Sequence, residues 1–413
     1  MTKSLYKVDE MRYKVVEHHN KLDVSLIHGT AIHRVILKNS HIDLLIKGFE
    51  DISYTSSVLV CFTAAVSNRE NKTAPFFSGL GVSTKLNIPL ISIADPTVSD
   101  YSVGLAWYAG NEKIYNLQYE ISRILKDIFN YLKFKQYILF GGSGAGFACL
   151  TQLMLIRDIK LKSLVMNPQT SILEYTIPSV KRYVTQAFEV DCKSLHFDKE
   201  LAKAIFERNN IVYQIDVNSF DSSSELIYLQ NSTDWHVKSH LIPFVKNSST
   251  SWKRAGNCSF YNNERLAVYM GNWGKGHVTP PKEIIYHLIS GLVDGKSPID
   301  LLQNIENRLL AFDENADFFD DQEFDLEWDF DVVVKDNSCK VKVYSSALKN
   351  IIDIEYAFYL IVDEDIIVSK KLYTAHNIYQ FSIKGYDINR LSVKAFVKLP
   401  NGRRLSKRKR VFI

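Results

Sequence analysis

The stretch Tyr137–Leu150, YILFGGSGAGFACL, constrains this chain most strongly, because an apolar run meets a cluster of glycines and one serine before a second apolar run begins. The whole chain of 413 residues has only 18 glycines, and four of them surround Ser143. Small residues at such a junction let the backbone turn sharply from a strand into a helix. Three kinds of site use a turn of this type: a phosphate-binding loop, a dinucleotide-binding turn and a serine nucleophile.

The two nucleotide-binding alternatives fit this turn poorly. A P-loop has a lysine and a hydroxyl residue after its glycines, and here Phe147 and Ala148 stand in those positions. A dinucleotide turn has the pattern Gly-x-Gly-x-x-Gly. After Gly142 and Gly144 its third glycine is replaced by Phe147, and no acidic residue closes a strand about 20 residues later.

A nucleophile elbow fits the same residues well. Its pattern is small-x-Ser-x-small between a strand and a helix, and here Gly141 and Ala145 lie two residues to either side of Ser143. Larger side chains at those two positions would clash in so tight a turn. The elbow also aims the backbone N–H of Gly144 at an oxyanion that develops next to the serine. The motif therefore predicts Ser143 as a nucleophile.

Strands alternate with helices through the first three quarters of the chain. Short continuous apolar runs such as VLVCF and LISI are typical of strands that are buried on both faces of a parallel sheet. The segment EKIYNLQYEISRILKDIFNYL carries apolar residues at three- and four-residue spacing, which predicts an amphipathic helix. Together these patterns predict an α/β fold, with a mostly parallel sheet covered by helices on both faces.

The pattern changes after Leu310, and it divides the chain into four parts. Residues 312–331 carry ten acidic residues and neither Lys nor Arg, which is typical of a solvated linker. About seven short strands then follow in sequence, which favours a β-sandwich. The predicted parts are a β-rich N-terminal segment (1–55), a catalytic domain (56–311), the acidic linker (312–331) and the sandwich (332–413).

An acid and a histidine follow Ser143 in the order that a serine triad on this kind of sheet requires. Asp234 comes shortly after the strand SELIYLQ, and His277 comes after the strand RLAVYM, before a helix that we expect to be capped by Thr279. A single aspartate in a loop is more often a turn former, and a single histidine more often a packing residue. The joint placement at the ends of successive strands nevertheless predicts a triad of Ser143, Asp234 and His277.

Two further histidines lie four residues apart in DWHVKSHLIPF. On a helix, His236 and His240 would share one face, as metal ligands can. No HExxH motif or other ligand set accompanies them. We therefore predict no metal site and expect the two rings to line or support the active site, with His236 as an alternative general base.

Over about residues 56–295, the amino-acid sequence resembles the α/β-hydrolase superfamily. The stretches that carry the resemblance are FGGSGAGFACL, VMNPQTSI, NSTDWHVKSHLIPF and GHVTPPKEII. Within the superfamily, the chain is similar to bacterial surface-polysaccharide and glycan O-acetyltransferases, of the meningococcal capsule type and of the accessory Sec type. The resemblance implies a serine acyl enzyme that acts on saccharide hydroxyls, with acetyl-CoA as a candidate acyl donor, no permanently bound cofactor, and other glycan-assembly proteins as candidate partners.

The triad chemistry also predicts the remaining site residues. The oxyanion hole would combine Gly144 with a backbone N–H from the loop around Thr63, at Ala64 or Ala65. Arg69 and Lys72 would either meet an anionic sugar or a CoA phosphate, or lie in an ordinary solvated loop. The residues predicted to bind substrate are Trp107, Tyr108, Asn167, Gln169, Trp235, His236 and Trp273.

Composition excludes several other classes of function. The formal net charge of +4 is small for this length, so we expect no nucleic-acid partner. No apolar run approaches the ~18 residues of a membrane span, and no signal sequence is visible, so we expect a cytoplasmic protein without a transmembrane segment. The five cysteines form no CxxC pair, which favours free thiols. A non-catalytic glycan-binding or scaffold protein and a metal-dependent hydrolase are the alternatives.

Overall fold

The computed structural model describes residues 13–50, 57–190, 197–254, 259–262, 265–308, 328–345, 354–363, 366–398 and 404–412. The chain forms two compact units. The first contains Met1–Thr250, Asn263–Tyr269 and Trp273–Leu301, and the second contains Ser251–Asn262, Met270–Asn272 and Leu302–Ile413.

Strands and helices alternate through the first 308 residues. The strands are β1 (Lys14–His19), β2 (Ala31–Ile36), β3 (His41–Lys47), β4 (Ser57–Phe62), β5 (Leu90–Ile93), β6 (Gln136–Gly142), β7 (Leu161–Met166), β8 (Glu225–Asn231), β9 (Lys253–Arg254), β10 (Ser259–Asn262) and β11 (Leu266–Gly271). The helices are α1 (Leu80–Leu86), α2 (Pro96–Asp100), α3 (Leu117–Leu132), α4 (Ser143–Leu155), α5 (Ile177–Ala187), α6 (Lys199–Arg208), α7 (Ile242–Lys246), α8 (Lys282–Val293) and α9 (Pro298–Arg308).

The large sheet has the strand order β1-β2-β3-β5-β4-β6-β7-β8-β11. Neighbours from β5 to β8 are parallel, whereas β2 and β5 are each antiparallel to β3. Helix α4 packs against β4, β6 and β7 and against α3, whereas α8 packs against β6 and β7 and against α1. The prediction of an α/β fold with a mostly parallel sheet and helices on both faces is confirmed.

The N-terminal strands belong to this sheet, because β3 pairs with β5. Strands from both sides of residue 55 therefore contribute to one sheet. The four-part division of the chain stays a prediction, and most of the acidic segment, residues 312–327, lies outside the described residues. Its last three residues, 329–331, are strand.

Burial explains why these segments form strands and helices where they do. Every residue of β4 is buried, as expected for a central strand covered on both faces. In α3 the buried residues Ile121, Ile124, Leu125 and Ile128 follow the helical repeat and turn one apolar face to the sheet. No helix among the described residues is both long enough and apolar enough to cross a membrane.

One predicted helix start is wrong. The helix α8 begins at Lys282, and Pro281 precedes it in an extended conformation, so Thr279 does not cap it. The reason is local: a residue followed by proline is disfavoured in the α conformation, which keeps Pro280 out of the helix.

The C-terminal part of the second unit is a β-sandwich, as predicted. Its strands are β12 (Asp329–Lys335), β13 (Ser338–Tyr344), β14 (Glu355–Val362), β15 (Ile366–Thr374), β16 (Ile378–Ser382), β17 (Leu391–Lys398) and β18 (Arg404–Arg410). One sheet has the order β12-β13-β16 and the other β15-β14-β17-β18. Both sheets contribute to one apolar core that includes Phe330, Val341, Phe358 and Val393.

Candidate active site

Ser143 stands on a strained turn between β6 and α4. It is the first residue of α4, it is partly exposed, and its φ is +53°. A non-glycine residue with positive φ is uncommon and marks a turn whose surroundings over-determine its geometry. A Cβ added to Gly141 would lie 2.7 Å from the carbonyl of Ala145, and one on Gly146 would lie 2.6 Å from Pro168. Close backbone contacts thus require glycine at these two positions around the serine.

The residues around the predicted oxyanion hole differ in whether their backbone N–H groups can donate to an oxyanion. Gly144 lies in the first turn of α4, where backbone N–H groups have no partner within the helix. In the loop after β4, Ala64 is half-buried and Ala65 is exposed. The N–H of Thr63 donates to the hydroxyl of Tyr108 at 2.6 Å, so Thr63 is not available. The prediction therefore narrows to Gly144 with Ala64 or Ala65.

Asp234 and His277 form a hydrogen-bonded pair at the carboxyl ends of β8 and β11. His277 Nδ1 lies 2.5 Å from Asp234 Oδ2. Asp234 is buried, and its other oxygen accepts the backbone N–H of His236 at 3.1 Å. Burial disfavours the ionised carboxyl, but the bonds and charges of the two histidines outweigh it, so the pKa of Asp234 is lowered. The pair is a carboxylate that holds an imidazole in one orientation.

Two side chains that follow the end of β8 anchor the loop that carries His277. The Asn231 amide nitrogen donates to the carbonyls of Gly274 and Gly276 at 2.9 and 2.6 Å. The Thr233 hydroxyl donates to Gly274 at 2.6 Å and accepts the N–H of Gly276 at 2.9 Å. The acid-bearing and histidine-bearing loops are therefore tied together directly. The sequence analysis missed both anchors, although they stand in NSTDWH beside the predicted acid.

Ser143 has a hydrogen-bond partner of its own. Its Oγ accepts the side-chain amide of Gln169 at 3.2 Å. Among the hydrogen bonds of the described residues, none joins Ser143 Oγ to the His277 ring. The side chain of His277 is 40% exposed, so its ring lies at the surface of the site.

His236 and His240 are buried behind the pair. His236 Nδ1 lies 3.0 Å from the carbonyl of Asn167, and its ring centroid lies 4.5 Å from that of His277 and 4.6 Å from that of His240. Burial lowers the pKa of His236 to about 4 and that of His240 to about 3, so both rings are neutral near pH 7. His236 and His240 are therefore two uncharged imidazoles that meet edge to face beside Asp234.

The group Asp234, His236 and His277 also has the composition of a metal site. Their ligand atoms lie within 4.8 Å of one another. Two of those atoms, Asp234 Oδ2 and His277 Nδ1, are already joined by a hydrogen bond that an ion would have to displace.

Three residues predicted to bind substrate are instead buried and bonded within the chain. Trp107 packs edge-on against Tyr175 and Tyr183. Tyr108 donates to the carbonyl of Ile93, and Asn167 donates to that of Val278. All three have positive φ, and all three side chains are buried. The prediction of direct substrate contact is wrong for Trp107, Tyr108 and Asn167.

Two other predicted substrate contacts are also buried, whereas two face outward. Gln169 and His236 have almost no exposed surface. Trp235 is 44% exposed, and its ring centroid lies 5.5 Å from that of Tyr175, which the sequence analysis did not single out. Trp273 is partly exposed, and its ring stacks on Tyr269. Of the predicted set, Trp235 and Trp273 are therefore the ones whose side chains face outward.

The environment of Arg69 differs from both of the environments that the sequence analysis predicted. Its guanidinium is buried and donates to the carbonyls of Val98, Lys72 and Ser99 at 2.7, 2.9 and 2.8 Å. These contacts make Arg69 a structural tie between its own segment and α2, neither a solvated side chain nor an anion ligand. Lys72 is exposed.

Comparison with known proteins places structures of the expected kinds among the matches. The capsule O-acetyltransferase of Neisseria meningitidis serogroup A is 12% identical, with a TM-score of 0.43, over 63% of this chain and 94% of that one. A glycosylation-associated protein complex (Gap123) from Streptococcus agalactiae is 14% identical, with a TM-score of 0.40, over 62% of this chain and 46% of that one. An esterase of Pyrobaculum calidifontis is 10% identical, with a TM-score of 0.39, over 65% of this chain and 85% of that one. No family profile and no curated protein matches the chain.

Proposed function

We propose that this protein is a serine acyl enzyme that works through an acyl-Ser143 intermediate and a triad of Ser143, His277 and Asp234. The observation that carries the proposal is the 2.5 Å bond between His277 and Asp234. The pair lies at the carboxyl ends of β8 and β11, in the same sheet whose strand β6 leads into the Ser143 turn. A nucleophile on an elbow, with a histidine oriented by a buried carboxylate, is the arrangement that activates a serine.

The chemistry follows from the histidine tautomer. Because His277 Nδ1–H donates to Asp234, its Nε2 is left to accept a proton. Ser143 Oγ attacks an ester or thioester carbonyl while its proton moves to Nε2, and Asp234 stabilises the resulting imidazolium. The tetrahedral intermediate then collapses to acyl-Ser143, and the leaving group takes the proton from Nε2. A second nucleophile gives its proton to Nε2 and attacks the acyl group, which frees Ser143.

The identity of the second nucleophile decides which of two activities the protein has. Water would make the protein an O-acetylesterase, and a bound saccharide hydroxyl would make it an O-acetyltransferase, with acetyl-CoA as the candidate donor. Two features support a saccharide acceptor: the resemblance to glycan O-acetyltransferases and the exposed ring of Trp235 beside Tyr175. Aromatic faces next to a reactive serine suit the apolar faces of sugar rings. The same resemblance makes glycan-assembly proteins the proposed partners.

Acyl transfer can be tested by mass spectrometry of the intact protein. The protein is incubated with p-nitrophenyl acetate or acetyl-CoA, with and without bacterial polysaccharides, and the acetyl group is traced to Ser143, to water or to sugar. Ser143→Ala should lose about 10⁴–10⁶-fold in kcat, the usual cost of removing a triad nucleophile. Ser290→Ala, at an exposed position of α8, is the matched control and should retain full activity.

Three results would contradict the proposal. Wild-type turnover in a folded Ser143→Ala protein would show that Ser143 is not the nucleophile. Loss of wild-type activity in a chelator would indicate a metal-dependent hydrolase. A protein that reacts with neither substrate nor a fluorophosphonate would be a binding or scaffold protein on this fold.

A further inference from the structure

Gln169, in the loop after β7, is bound to Ser143 at two points and is fully buried. Its backbone N–H donates to the carbonyl of Ser143 at 3.2 Å, and its side-chain Nε2 donates to Ser143 Oγ at 3.2 Å. The amide oxygen accepts the indole N–H of Trp107. The Gln169 amide is a neutral donor that touches the attacking atom, Ser143 Oγ. It is not part of the triad, and the mechanism above gives it no role.

The indole decides which end of the amide faces the serine. A tryptophan N–H can only donate, so the partner of Trp107 must be the amide oxygen of Gln169, and the NH₂ group must point to Ser143. Trp107 is itself held, because its ring packs edge-on against Tyr175 and Tyr183, at centroid distances of 5.7 and 5.6 Å. The donor is therefore oriented before any substrate arrives.

Gly144 and Gln169 both lie beside the indole ring of Trp107. A Cβ added to Gly144 would lie 3.5 Å from Trp107 Cδ1. In the indole ring, Cδ1 is bonded to Nε1, the atom that binds Gln169. Gln169 and Gly144 thus flank the same edge of Trp107, and the Gly144 N–H is the predicted oxyanion donor.

We propose that Gln169 Nε2 is an additional hydrogen-bond donor of the oxyanion hole, beside the backbone N–H groups, and is therefore a catalytic residue. This inference rests on the proposed function. When Ser143 Oγ bonds to the substrate carbonyl carbon, the carbonyl π pair moves onto its oxygen, and the serine proton goes to His277. The Nε2–H group, already oriented beside Oγ, then donates to that oxygen together with Gly144. On collapse the pair returns to the carbonyl, and Nε2 keeps its hydrogens throughout.

Gln169→Met tests the role, because methionine has a similar length but no donor. The expected result is a loss in kcat for p-nitrophenyl acetate of about 10²–10³-fold, the usual cost of one oxyanion donor, with KM little changed. Binding of a trifluoromethyl ketone, which adds to Ser143 as a charged hemiketal, should weaken by a similar factor. Binding of the unreactive N-phenylacetamide should not change.

Gln152→Met is the matched control. Gln152 is another buried glutamine, on α4, whose amide accepts the Ser122 hydroxyl at 2.7 Å and donates to Gln118 at 3.1 Å, away from Ser143. Its loss should lower thermal stability but should not weaken the ketone relative to N-phenylacetamide. Trp107→Phe, which removes the indole N–H that orients the amide but keeps an aromatic ring, should weaken binding of the ketone by a smaller factor than Gln169→Met.

The outcomes separate this inference from the proposed function. If wild-type protein does not acylate at Ser143, the proposed function fails. If wild type acylates and folded Gln169→Met binds the ketone as wild type does, only the role of Gln169 fails. Equal effects of Gln169→Met and Gln152→Met on the ketone would also overturn it, because they would indicate a purely structural amide. Should Gln169→Met not fold, unchanged ketone binding by Trp107→Phe overturns the proposal, and a selective loss supports it.

Discussion

Two neighbouring histidines contact Asp234, and their surroundings suit them to different roles. His277 is 40% exposed and uses Nδ1 for Asp234, which leaves Nε2 at the surface of the site. His236 is buried, and its Nδ1 is bonded to the carbonyl of Asn167. Burial also lowers its pKa to about 4, which makes it a poor proton acceptor near pH 7. These differences favour His277 as the general base.

Substitutions of His277, Asp234 and His236 should differ in how much they lower kcat. His277→Ala should match Ser143→Ala, with a loss in kcat of about 10⁴–10⁶-fold, because a serine without its base is not activated. Asp234→Asn should cost less than His277→Ala, and His236→Ala should be the mildest of the three. Steady-state kinetics on p-nitrophenyl acetate measures all of them. A larger loss for His236→Ala than for His277→Ala would transfer the role of base to His236.

At the scale of elements, β1 and β2 enclose a buried pair of histidines. His18 Nε2 and His33 Nδ1 lie 2.9 Å apart, and the N–H of Asp23 donates to His18 Nδ1 at 3.1 Å. This network places the His18 proton on Nε2, so His33 Nδ1 is an acceptor. Desolvation lowers the pKa of His33 to about 4, with further contributions from His18 and His28, and desolvation also lowers the pKa of His18 despite the charge of Asp23.

The pair predicts a loss of stability in acid. A histidine whose pKa is lowered by folding binds fewer protons in the folded than in the unfolded state between pH 6.5 and about 4. Its contribution to stability is therefore complete above pH 6.5 and is lost as the pH falls through that window. Urea unfolding across this range should show the decline. His33→Asn, which keeps an acceptor for His18 but does not titrate, should flatten part of it; an unchanged slope would contradict the assignment.

The basic run of β18 is divided by the alternation of a strand. Lys407 and Lys409 point toward the start of β12, where they donate to the carbonyl of Trp328 at 2.6 Å and to Asp329 at 2.8 Å. Arg404 and Arg408 lie on the other face, directly opposite Lys398 and Lys394 of β17. Like charges opposite each other across two strands are destabilising.

Reversing one charge on each face should therefore have opposite effects. Arg408→Glu would face Lys394 with an opposite charge and should stabilise the sandwich by about 0.2–1 kcal/mol, a gain that shrinks as salt screens it. Lys409→Glu would put a carboxylate next to Asp329 and should destabilise it. Thermal unfolding at low and high salt compares the two variants. Equal destabilisation by both would mean that the two faces of β18 are not distinct.

At the scale of the whole molecule, the proposed triad lies entirely within the first compact unit, which contains Ser143, Asp234 and His277. The sandwich has its own apolar core, and Phe358 is completely buried in it. Turnover of a small ester should therefore depend on the first unit alone.

Phe358→Ala tests this division of labour. The substitution should destabilise the sandwich by about 3–5 kcal/mol, the usual cost of a buried phenylalanine. At temperatures where circular dichroism shows the protein still folded, turnover of p-nitrophenyl acetate should stay at the wild-type value. If ester turnover declines together with the sandwich, the second unit supports the catalytic one. A loss confined to a polymeric acceptor would assign the sandwich to acceptor recruitment.

The sequence alone determined the features that depend on local spacing. The small residues around Ser143 predicted the elbow, because the backbone contacts of Gly141 with Ala145 arise within five residues. Alternating apolar runs predicted the sheet, its helices and the seven strands of the sandwich. The order of Ser143, Asp234 and His277 predicted that the loops of Asp234 and His277 meet, because the carboxyl ends of neighbouring strands share one edge of a sheet.

Only the tertiary structure decided which side chains face solvent and which face the core. Trp107, Tyr108 and Asn167 look like site-lining residues in the sequence, but each side chain is buried against a residue of another element. Arg69 looks solvated until two carbonyls of α2, about 30 residues away in sequence, converge on its guanidinium. The partners of a loop residue come from elements far away in sequence, so neither its burial nor its bonds can be deduced from local spacing. The same holds for Gln169, whose amide acquires a chemical role only because folding brings Trp107 and Ser143 to its two ends.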